Sequence, residues 1–154
     1  MSTFPQVDEK APDFNLPTDG GGTISLADLK GHKAVIYFYP KDDTPGCTKE
    51  AIAFTQHKKA FDALGVKIIG VSKDTVAKHD KFKAKHDLNL ILASDEDGKM
   101  VESYGVWVEK NMYGKKYMGI QRATLLIDGD AKVIATWPKV RVKGHVKEVL
   151  EAAK

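Results

Sequence analysis

Short apolar runs and apolar positions at helical spacing follow one another along most of this chain. Five runs, most of them rich in β-branched and aromatic residues, have the length of buried strands. These runs cover residues 34–39, 66–71, 90–92, 123–127 and 132–137. Spacings of three and four residues predict helices in the segments between and after them. The predicted helices cover residues 45–64, about 75–86, 97–104 and 144–153.

Two segments fall outside this pattern. Near the start, Phe14 and Leu16 alternate with polar residues, and a glycine run separates them from residues 23–26. We expect a β-hairpin there, lying near one end of the main sheet. Residues 105–120 show neither the pattern of a strand nor the three- and four-residue spacing of a helix. Their length and aromatic content predict an irregular loop that packs on itself.

The order of the predicted elements indicates a fold class. After the hairpin it reads β, α, β, α, β, α, β, β, α, so the main sheet begins with βαβ units and ends with ββα. This is the thioredoxin-like arrangement, an α/β fold with a mixed central sheet and flanking helices, here with an added N-terminal β-hairpin. A length of 154 residues suits one domain, residues 1–154. Right-handed crossovers place the start of the first helix at the carboxyl end of its strand, where open α/β sheets bind ligands.

Composition narrows the classes of function. The net charge is only +3 and the lysines are interspersed with acidic residues, which argues against nucleic acid as the main partner. No stretch approaches the ~20 apolar residues of a membrane span. Residues 1–10 hold no apolar signal-peptide core. We therefore expect a cytoplasmic protein with no membrane partner.

Cys47 is the only cysteine of the chain. A single thiol excludes an internal disulfide and a thiolate-rich zinc site. The histidines that follow it show no metal-like pairing with it, so we expect neither a metal nor another cofactor.

The setting of Cys47 favours a reactive thiol. After the strand at 34–39 come Thr44, a good N-cap residue, and Pro45, which suits the first helical position. Cys47 then falls in the first helical turn, where unpaired N–H groups and the helix dipole favour the thiolate. Thr44 can accept a backbone N–H with its oxygen while its own proton points at the sulfur or at a bound substrate. The alternative is that Cys47 is a small buried hydrophobe, as most free cysteines are.

The predicted helix over residues 45–64 has one mainly apolar face. One stripe, which must face the sheet, contains Cys47, Ala51, Phe54 and Phe61. On the opposite, exposed face the one apolar residue is Ile52, and an isolated residue of this kind is normal.

The residues around Cys47 carry a resemblance to a known family. Pro40-x-x-x-Thr44-x-x-Cys47 resembles the active-site signature of the peroxiredoxins. The wider run from Tyr37 to Glu50 is similar to that of the bacterioferritin comigratory protein (PrxQ) subgroup. The likeness extends to residues 11–14, 70–72, 111–114 and 121–124, so it covers nearly the whole chain.

The resemblance implies a thiol-dependent peroxidase that reduces hydrogen peroxide and organic hydroperoxides. Cys47 would be the nucleophile and would become a sulfenic acid. Thr44 would orient the peroxide, and the backbone N–H groups of Gly46 and Cys47 would donate to its oxygens. Arg122 is carried over as the cation beside the sulfur.

Two further pocket residues follow from the same resemblance. Pro40 would shape the pocket and shield the sulfenic acid, and Glu50 would hold Arg122 in place. Ordinary structural roles stay open beside these. Arg122 could be a surface cation, Glu50 a solvated charge of the second helical turn, and Thr44 a cap alone.

This sequence departs from the subgroup where a second, resolving cysteine is often found. That position holds Ile52, and the helix at about 75–86, where relatives sometimes carry the thiol, has none. Cys47 would therefore be recycled by an external thiol, in the one-cysteine form of the reaction. The resemblance implies thioredoxin, glutaredoxin or glutathione as the reductant, and a monomer as the default state.

Two other classes of function stay open. Cys47 could attack disulfides rather than peroxides, as in a monothiol thiol–disulfide exchange protein. The chain could also be a redox-inert thioredoxin-fold holdase in which Cys47 is structural. Limiting peroxide separates the three, because only a peroxidase consumes it rapidly with formation of a sulfenic acid.

Overall fold

The computed structural model describes residues 3–154, and these form nine β-strands and five α-helices. The strands are β1 (Asn15–Pro17), β2 (Thr23–Ser25), β3 (Lys33–Phe38), β4 (Val66–Ser72), β5 (Ile91–Ser94), β6 (Trp107–Met112), β7 (Lys115–Ile120), β8 (Ala123–Ile127) and β9 (Val133–Trp137). The helices are α1 (Pro45–Gln56), α2 (Lys58–Ala63), α3 (Val76–His86), α4 (Lys99–Ser103) and α5 (His145–Ala153). Among residues 3–154, none of the helices combines the length and the apolar character that a membrane span requires.

Five strands form the central sheet, in the order β5-β4-β3-β8-β9. Strands β3, β4 and β5 run parallel and are connected through helices, whereas β8 lies antiparallel to β3 and β9 antiparallel to β8. This mixed sheet with flanking helices confirms the predicted thioredoxin-like α/β fold. It also places β3 in the middle, so the carboxyl end of β3 lies beside the start of β8.

The central strand β3 is buried on both faces. Val35 and Tyr37 pack on one face with the aromatic side chains of α1, α2 and α3. Ile36 and Phe38 pack on the other face with α4 and with the N-terminal strands. Because successive strand residues point to opposite faces, a strand covered on both sides requires a continuous apolar run.

The predicted N-terminal hairpin is formed by β1 and β2, with Leu16 opposite Ile24. Both of these side chains are buried in the core. A bridge between Thr18 and Ala93 joins the hairpin to the edge strand β5. The hairpin therefore lies at one end of the main sheet, as the sequence predicts.

The single helix predicted over residues 45–64 is two helices, α1 and α2. The break lies at His57, whose φ and ψ are −99° and 6° and whose Nδ1 lies 2.9 Å from the carbonyl oxygen of Ala53. This side-chain bond satisfies a carbonyl at the end of α1, where the chain turns before α2 begins. The predicted apolar stripe is nevertheless buried along both helices, at Cys47, Ala51, Phe54 and Phe61.

The irregular loop predicted at residues 105–120 is wrong, because most of these residues form the antiparallel hairpin of β6 and β7. Tyr113 and Gly114 connect the strands with φ values of 54° and 78°, as a two-residue type I′ turn requires. The side chains of Met112, Tyr113 and Tyr117 are exposed, so the segment does not pack on itself. A ribbon open to solvent needs no alternation of apolar and polar residues, and it therefore shows no strand pattern in the sequence.

Candidate active site

Cys47 lies beyond the carboxyl end of the central strand, where the β3–α1 loop (residues 39–44) leads into α1. Thr44 is the N-cap, with an extended φ and ψ of −99° and 155°, and Pro45 is the first helical residue. Cys47 is therefore in the first turn, and its side chain is buried. The N–H groups of this turn have no partner within the helix, so they bring positive partial charge to the sulfur's end of α1.

Arg122 reaches the sulfur from the neighbouring strand. It directly precedes β8, which pairs with β3 so that Ala123 lies opposite Phe38 at the carboxyl end of β3. The Nη2 of Arg122 donates to the Sγ of Cys47 at 3.3 Å. A Cβ at Gly46 would lie only 3.2 Å from this Nη2, so the glycine gives the guanidinium room beside the helix end.

Glu50 binds the other side of the same guanidinium. Its Oε1 accepts from Nη1 of Arg122 at 2.7 Å, and the carboxyl group is completely buried. Its Oε2 has no hydrogen-bond partner among the described residues. Burial raises the pKa of Glu50 to about 7, although the charge and the hydrogen bond of Arg122 act in the opposite direction. Glu50 is thus a buried neighbour of Arg122 and not a solvated charge.

Thr44 uses its hydroxyl differently from the prediction. Its Oγ1 donates to the carbonyl oxygen of Lys41 at 2.8 Å, and it makes no side-chain capping bond to α1. The proton therefore points neither at the sulfur nor into the site. The oxygen keeps its lone pairs, so Thr44 can accept a hydrogen bond from a bound ligand.

The remaining predicted positions lie at the edges of this site. Pro40 is exposed directly after β3, and Gly46 is half buried in the first turn of α1. Ile52, expected on the exposed face of the helix, is instead half buried and packs against the core on the α1 side of the sheet. The covering role of Pro40 and the donor role of Gly46 stay predictions.

Tyr37 is a neighbour of the site that the sequence reasoning missed. Its ring stacks on Phe54 with centroids 4.6 Å apart, and its hydroxyl is buried without a partner among the described residues. A Cβ at Gly70 would lie 2.7 Å from this ring, so the tyrosine fits only because position 70 is glycine. Burial, followed by the charge of Glu50, raises the pKa of Tyr37. Tyr37 therefore places a buried ring, and a hydroxyl with no partner within residues 3–154, beside the Arg122–Glu50 pair.

Two basic residues near Arg122 were also missed. Burial and the charge of Arg122 lower the pKa of Lys110 on β6, while Cys47 raises it, so this lysine lies within electrostatic reach of the sulfur. His145, at the start of α5, is buried with its Nε2 2.9 Å from Oγ1 of Thr124. Burial and the charge of Arg122 lower the pKa of His145 to about 4. No local sequence pattern separates either residue from the other lysines and histidines.

The arrangement suits a nucleophilic thiolate. The hydrogen bond from Arg122 and the start of α1 both stabilise negative charge on the sulfur of Cys47. The same donors, with the backbone N–H groups of the first turn, can stabilise charge on an oxygen that leaves from a bound substrate. Within residues 3–154, no three His, Cys, Asp or Glu side chains are grouped so as to hold a metal ion.

Comparison with known proteins extends these observations along the whole chain. Residues 7–136 match the AhpC/TSA family. The chain is 54% identical over 145 residues to a putative peroxiredoxin Bcp of Coxiella burnetii, a match covering 94% of this chain and 96% of that one. It is 48% identical over 149 residues to peroxiredoxin Bcp of Bacillus subtilis, covering 97% of this chain and 95% of that one.

Solved structures give the same result. The bacterioferritin comigratory protein of Xanthomonas campestris superposes with a TM-score of 0.86 at 44% identity, over 91% of this chain and 89% of that one. A PrxQ variant of Xylella fastidiosa superposes with a TM-score of 0.90 at 33% identity, over 95% of this chain and 93% of that one. The likeness thus covers nearly full lengths and is not limited to the residues around Cys47. The chain therefore belongs to the AhpC/TSA family, as a thiol-dependent peroxidase of the Bcp peroxiredoxins that lacks a resolving cysteine.

Proposed function

We propose that this peroxiredoxin works by the one-cysteine mechanism, in which Cys47 alone reduces the peroxide and an external thiol restores it. The observation that carries the first part of this proposal, the reduction of the peroxide by Cys47, is the placement of Arg122 between Cys47 and Glu50. A planar cation held in this way stabilises the thiolate before the reaction and remains in place as charge moves to the leaving oxygen. The sequence holds no second thiol for internal recycling.

In the first step the Cys47 thiolate attacks one oxygen of the peroxide. A sulfur–oxygen bond forms as the oxygen–oxygen bond breaks, and the second oxygen leaves as alkoxide or hydroxide, which takes a proton to give an alcohol or water. Cys47 is oxidised to the sulfenic acid and the peroxide is reduced by two electrons. Arg122 and the first-turn N–H groups donate to the oxygens, and Thr44 accepts a hydrogen bond that orients the peroxide.

In the second step an external thiol attacks the sulfenic acid. A mixed disulfide forms on Cys47 and water leaves. A second external thiol then attacks the mixed disulfide, releasing the Cys47 thiol and a disulfide of the reductant. Thioredoxin, glutaredoxin and glutathione are the proposed candidates for this reductant.

The proposed substrates are hydrogen peroxide and organic hydroperoxides. The Xanthomonas campestris relative is described for its alkyl peroxide reduction activity, which supports the organic class for this chain as well.

The proposal is tested with limiting peroxide and no added reductant. One equivalent should be consumed rapidly per protein, and a sulfenic-acid trap should label Cys47, whereas Cys47→Ser should consume none. Reaction with mixed disulfides instead of peroxide would support the monothiol exchange protein. Reaction with neither would support the redox-inert holdase, and either result would refute the proposed mechanism.

We further propose a monomer that works in the cytoplasm. A protein whose single cysteine must be reduced by other thiols is suited to a reducing compartment. Rates of recycling with thioredoxin, glutaredoxin and glutathione, each measured separately, identify the reductant. Analytical ultracentrifugation of the reduced and oxidised protein tests the monomer.

A further inference from the structure

His79 is a buried histidine of α3 whose two ring nitrogens both face hydrogen-bond acceptors. Its Nδ1 lies 2.6 Å from Oδ2 of Asp42, and its Nε2 lies 2.9 Å from the carbonyl oxygen of Ala93 on β5. A carbonyl oxygen can only accept, so Nε2 must carry a hydrogen. With Asp42 ionised, Nδ1 must carry a hydrogen too. The geometry therefore calls for an imidazolium, a charged ring with no exposed surface.

Asp42 belongs to the β3–α1 loop and lies two residues before the N-cap Thr44. Its Oδ1 accepts from the hydroxyl of Tyr39 at 2.6 Å. Its backbone N–H donates to Oδ2 of Asp74 at 2.8 Å. With the bond from His79, the residue is held on three sides, and the ring of His79 supplies the only positive charge among these partners.

We propose that His79 is a positioning residue for the peroxide reaction, which acts by holding Asp42 and, through it, the loop that presents Thr44 to the substrate. This inference rests on the proposed function, because it takes Thr44 and Cys47 as the residues that receive the peroxide. A buried ion pair is tolerated only when both charges are fully hydrogen-bonded, as they are here. Removing the cation leaves the carboxylate of Asp42 buried without its counter-charge, so the loop must rearrange.

Other contacts of α3 keep His79 in its place. Lys83 pairs with Asp19 beside the N-terminal hairpin at 2.7 Å, and His86 pairs with Asp43 of the β3–α1 loop at 2.8 Å. The helix is therefore anchored both to the hairpin and to the loop. Since α3 carries no thiol in this chain, no step of the proposed cycle requires it to leave the loop.

The groups around His79 determine the pH at which it stops holding Asp42. Asp42 and Asp74 are the nearby carboxylates, and the hydroxyl oxygen of Tyr39 lies 3.5 Å from Nδ1. Burial lowers the pKa of His79, but the hydrogen bonds to Asp42 and Ala93 and the charges of Asp42 and Asp74 together raise it above its ordinary 6.5. Because the pKa of His79 is raised in the folded state, the ring is fully charged and holds Asp42 below pH 6.5. It loses this charge as the pH rises through its folded-state pKa.

The test is the second-order rate of reaction with hydrogen peroxide as a function of pH, in the wild type and in His79→Gln. Glutamine is uncharged and donates from one nitrogen only, so it cannot bind Asp42 and Ala93 together. Below neutral pH we expect His79→Gln to react roughly tenfold more slowly, because a displaced positioning group lowers the rate of a correctly oriented reaction. The wild-type rate per thiolate should fall at alkaline pH by a similar factor, and the variant should lack this fall.

A double-mutant cycle assigns the effect to the pair. Asp42→Asn should lower the rate of reaction with hydrogen peroxide by a similar factor. Combining it with His79→Gln should lower this rate little further. His32→Gln, at an exposed histidine outside both α3 and the β3–α1 loop, should leave the rate unchanged. Val101→Ala, in the core on the other face of the sheet, controls for lost stability without touching the pair.

Nitrogen NMR of the wild-type protein tests the charge without any substitution. Both ring nitrogens of His79 should still carry protons at a pH above 6.5, the ordinary pKa of a histidine. A neutral ring beside a protonated Asp42, or an active wild type with an equally active His79→Gln, would overturn the inference. A wild type that does not consume peroxide would instead overturn the proposed function, and with it the assignment of His79 to that reaction.

Discussion

The guanidinium of Arg122 donates a hydrogen bond to the sulfur of Cys47 at 3.3 Å, across 75 positions of sequence. The same group donates from its other terminal nitrogen to the buried carboxyl group of Glu50. One rigid, planar cation thus contacts both the proposed nucleophile and a carboxyl group, and its fork determines the directions of the two bonds.

Replacing Arg122 with lysine should slow the reaction with hydrogen peroxide roughly hundredfold, as expected when one preorganised donor is lost. An ammonium group keeps the charge but cannot donate to Cys47 and Glu50 from fixed positions. Stopped-flow kinetics with limiting peroxide measure the rate, and circular dichroism checks the fold. Arg141→Lys is the matched control, because this is the other arginine of the chain and it is exposed. A wild-type rate in Arg122→Lys would refute the assigned role.

Glu50 and His145 give the stability of the fold opposite responses to pH. Burial raises the pKa of Glu50 from 4.5 to about 7, so the folded state keeps a proton that the unfolded chain has lost. Burial and Arg122 lower the pKa of His145 from 6.5 to about 4, so the unfolded chain holds a proton that the folded state lacks. As the pH rises through this range, the contribution of Glu50 to stability falls while that of His145 increases. The two contributions largely cancel in the wild type.

His145→Gln should expose the response of Glu50. Glutamine does not titrate and can still bond with Thr124, so the gain in stability on raising the pH should disappear. We expect the free energy of unfolding at about pH 7, relative to that at about pH 5, to become lower by about 2 kcal/mol than in the wild type. Urea unfolding at both pH values measures this difference. His32→Gln, at an exposed histidine, should change it little, and an unchanged difference in His145→Gln would contradict the burial argument.

Glu50→Gln should produce the opposite change. The amide resembles the protonated carboxyl group, so stability should match the wild type near pH 5 and exceed it by about 2 kcal/mol near pH 7. Its oxygen can still accept from Arg122, and the peroxide rate should therefore fall less than in Arg122→Lys. Urea unfolding and stopped-flow kinetics measure the two effects, with Glu96→Gln as the exposed control. A loss of stability near pH 7 would show that the ionised pair outweighs the cost of burial.

Oxidation should leave a sulfenic acid that waits for an external thiol. Intact mass after one equivalent of peroxide should show one added oxygen and no loss of two hydrogens. Excess peroxide without thiol should drive Cys47 on to the irreversible sulfinic acid, and an external thiol present from the start should prevent this. Full activity after excess peroxide in the absence of thiol would refute the one-cysteine cycle.

Ile52→Cys should allow the sulfenic acid of Cys47 to be resolved by a thiol of the same chain. Position 52 lies in α1 about 7.5 Å further along the axis and about 140° around it from Cys47, so an intact helix keeps the two sulfurs apart. A disulfide therefore requires the first turns of α1 to unfold, and its formation compensates for that unfolding. Mass analysis should then show a loss of two hydrogens and less overoxidation than in the wild type. Ile52→Ser, at the same half-buried position but without a thiol, should behave like the wild type.

The sequence by itself determined the local features of this protein. Thr44 and Pro45 indicated where α1 begins, and the spacing of Cys47, Ala51 and Phe54 indicated which face it buries. These features depend on residues within one or two turns of each other, so local periodicity is sufficient to predict them. The proximity of Arg122 to Cys47 came only from the family resemblance and not from any local pattern.

Only the tertiary structure decided which distant side chains meet. Arg122 reaches Cys47 because β8 pairs with β3 in one register, and that register depends on the burial of both faces of the sheet at once. The same applies to His79 and Asp42, which lie 37 positions apart and meet only when α3 packs on the sheet. A charged pair inside a core has no periodic signal, because its polar residues stand alone among apolar neighbours and each is satisfied by a partner remote in sequence.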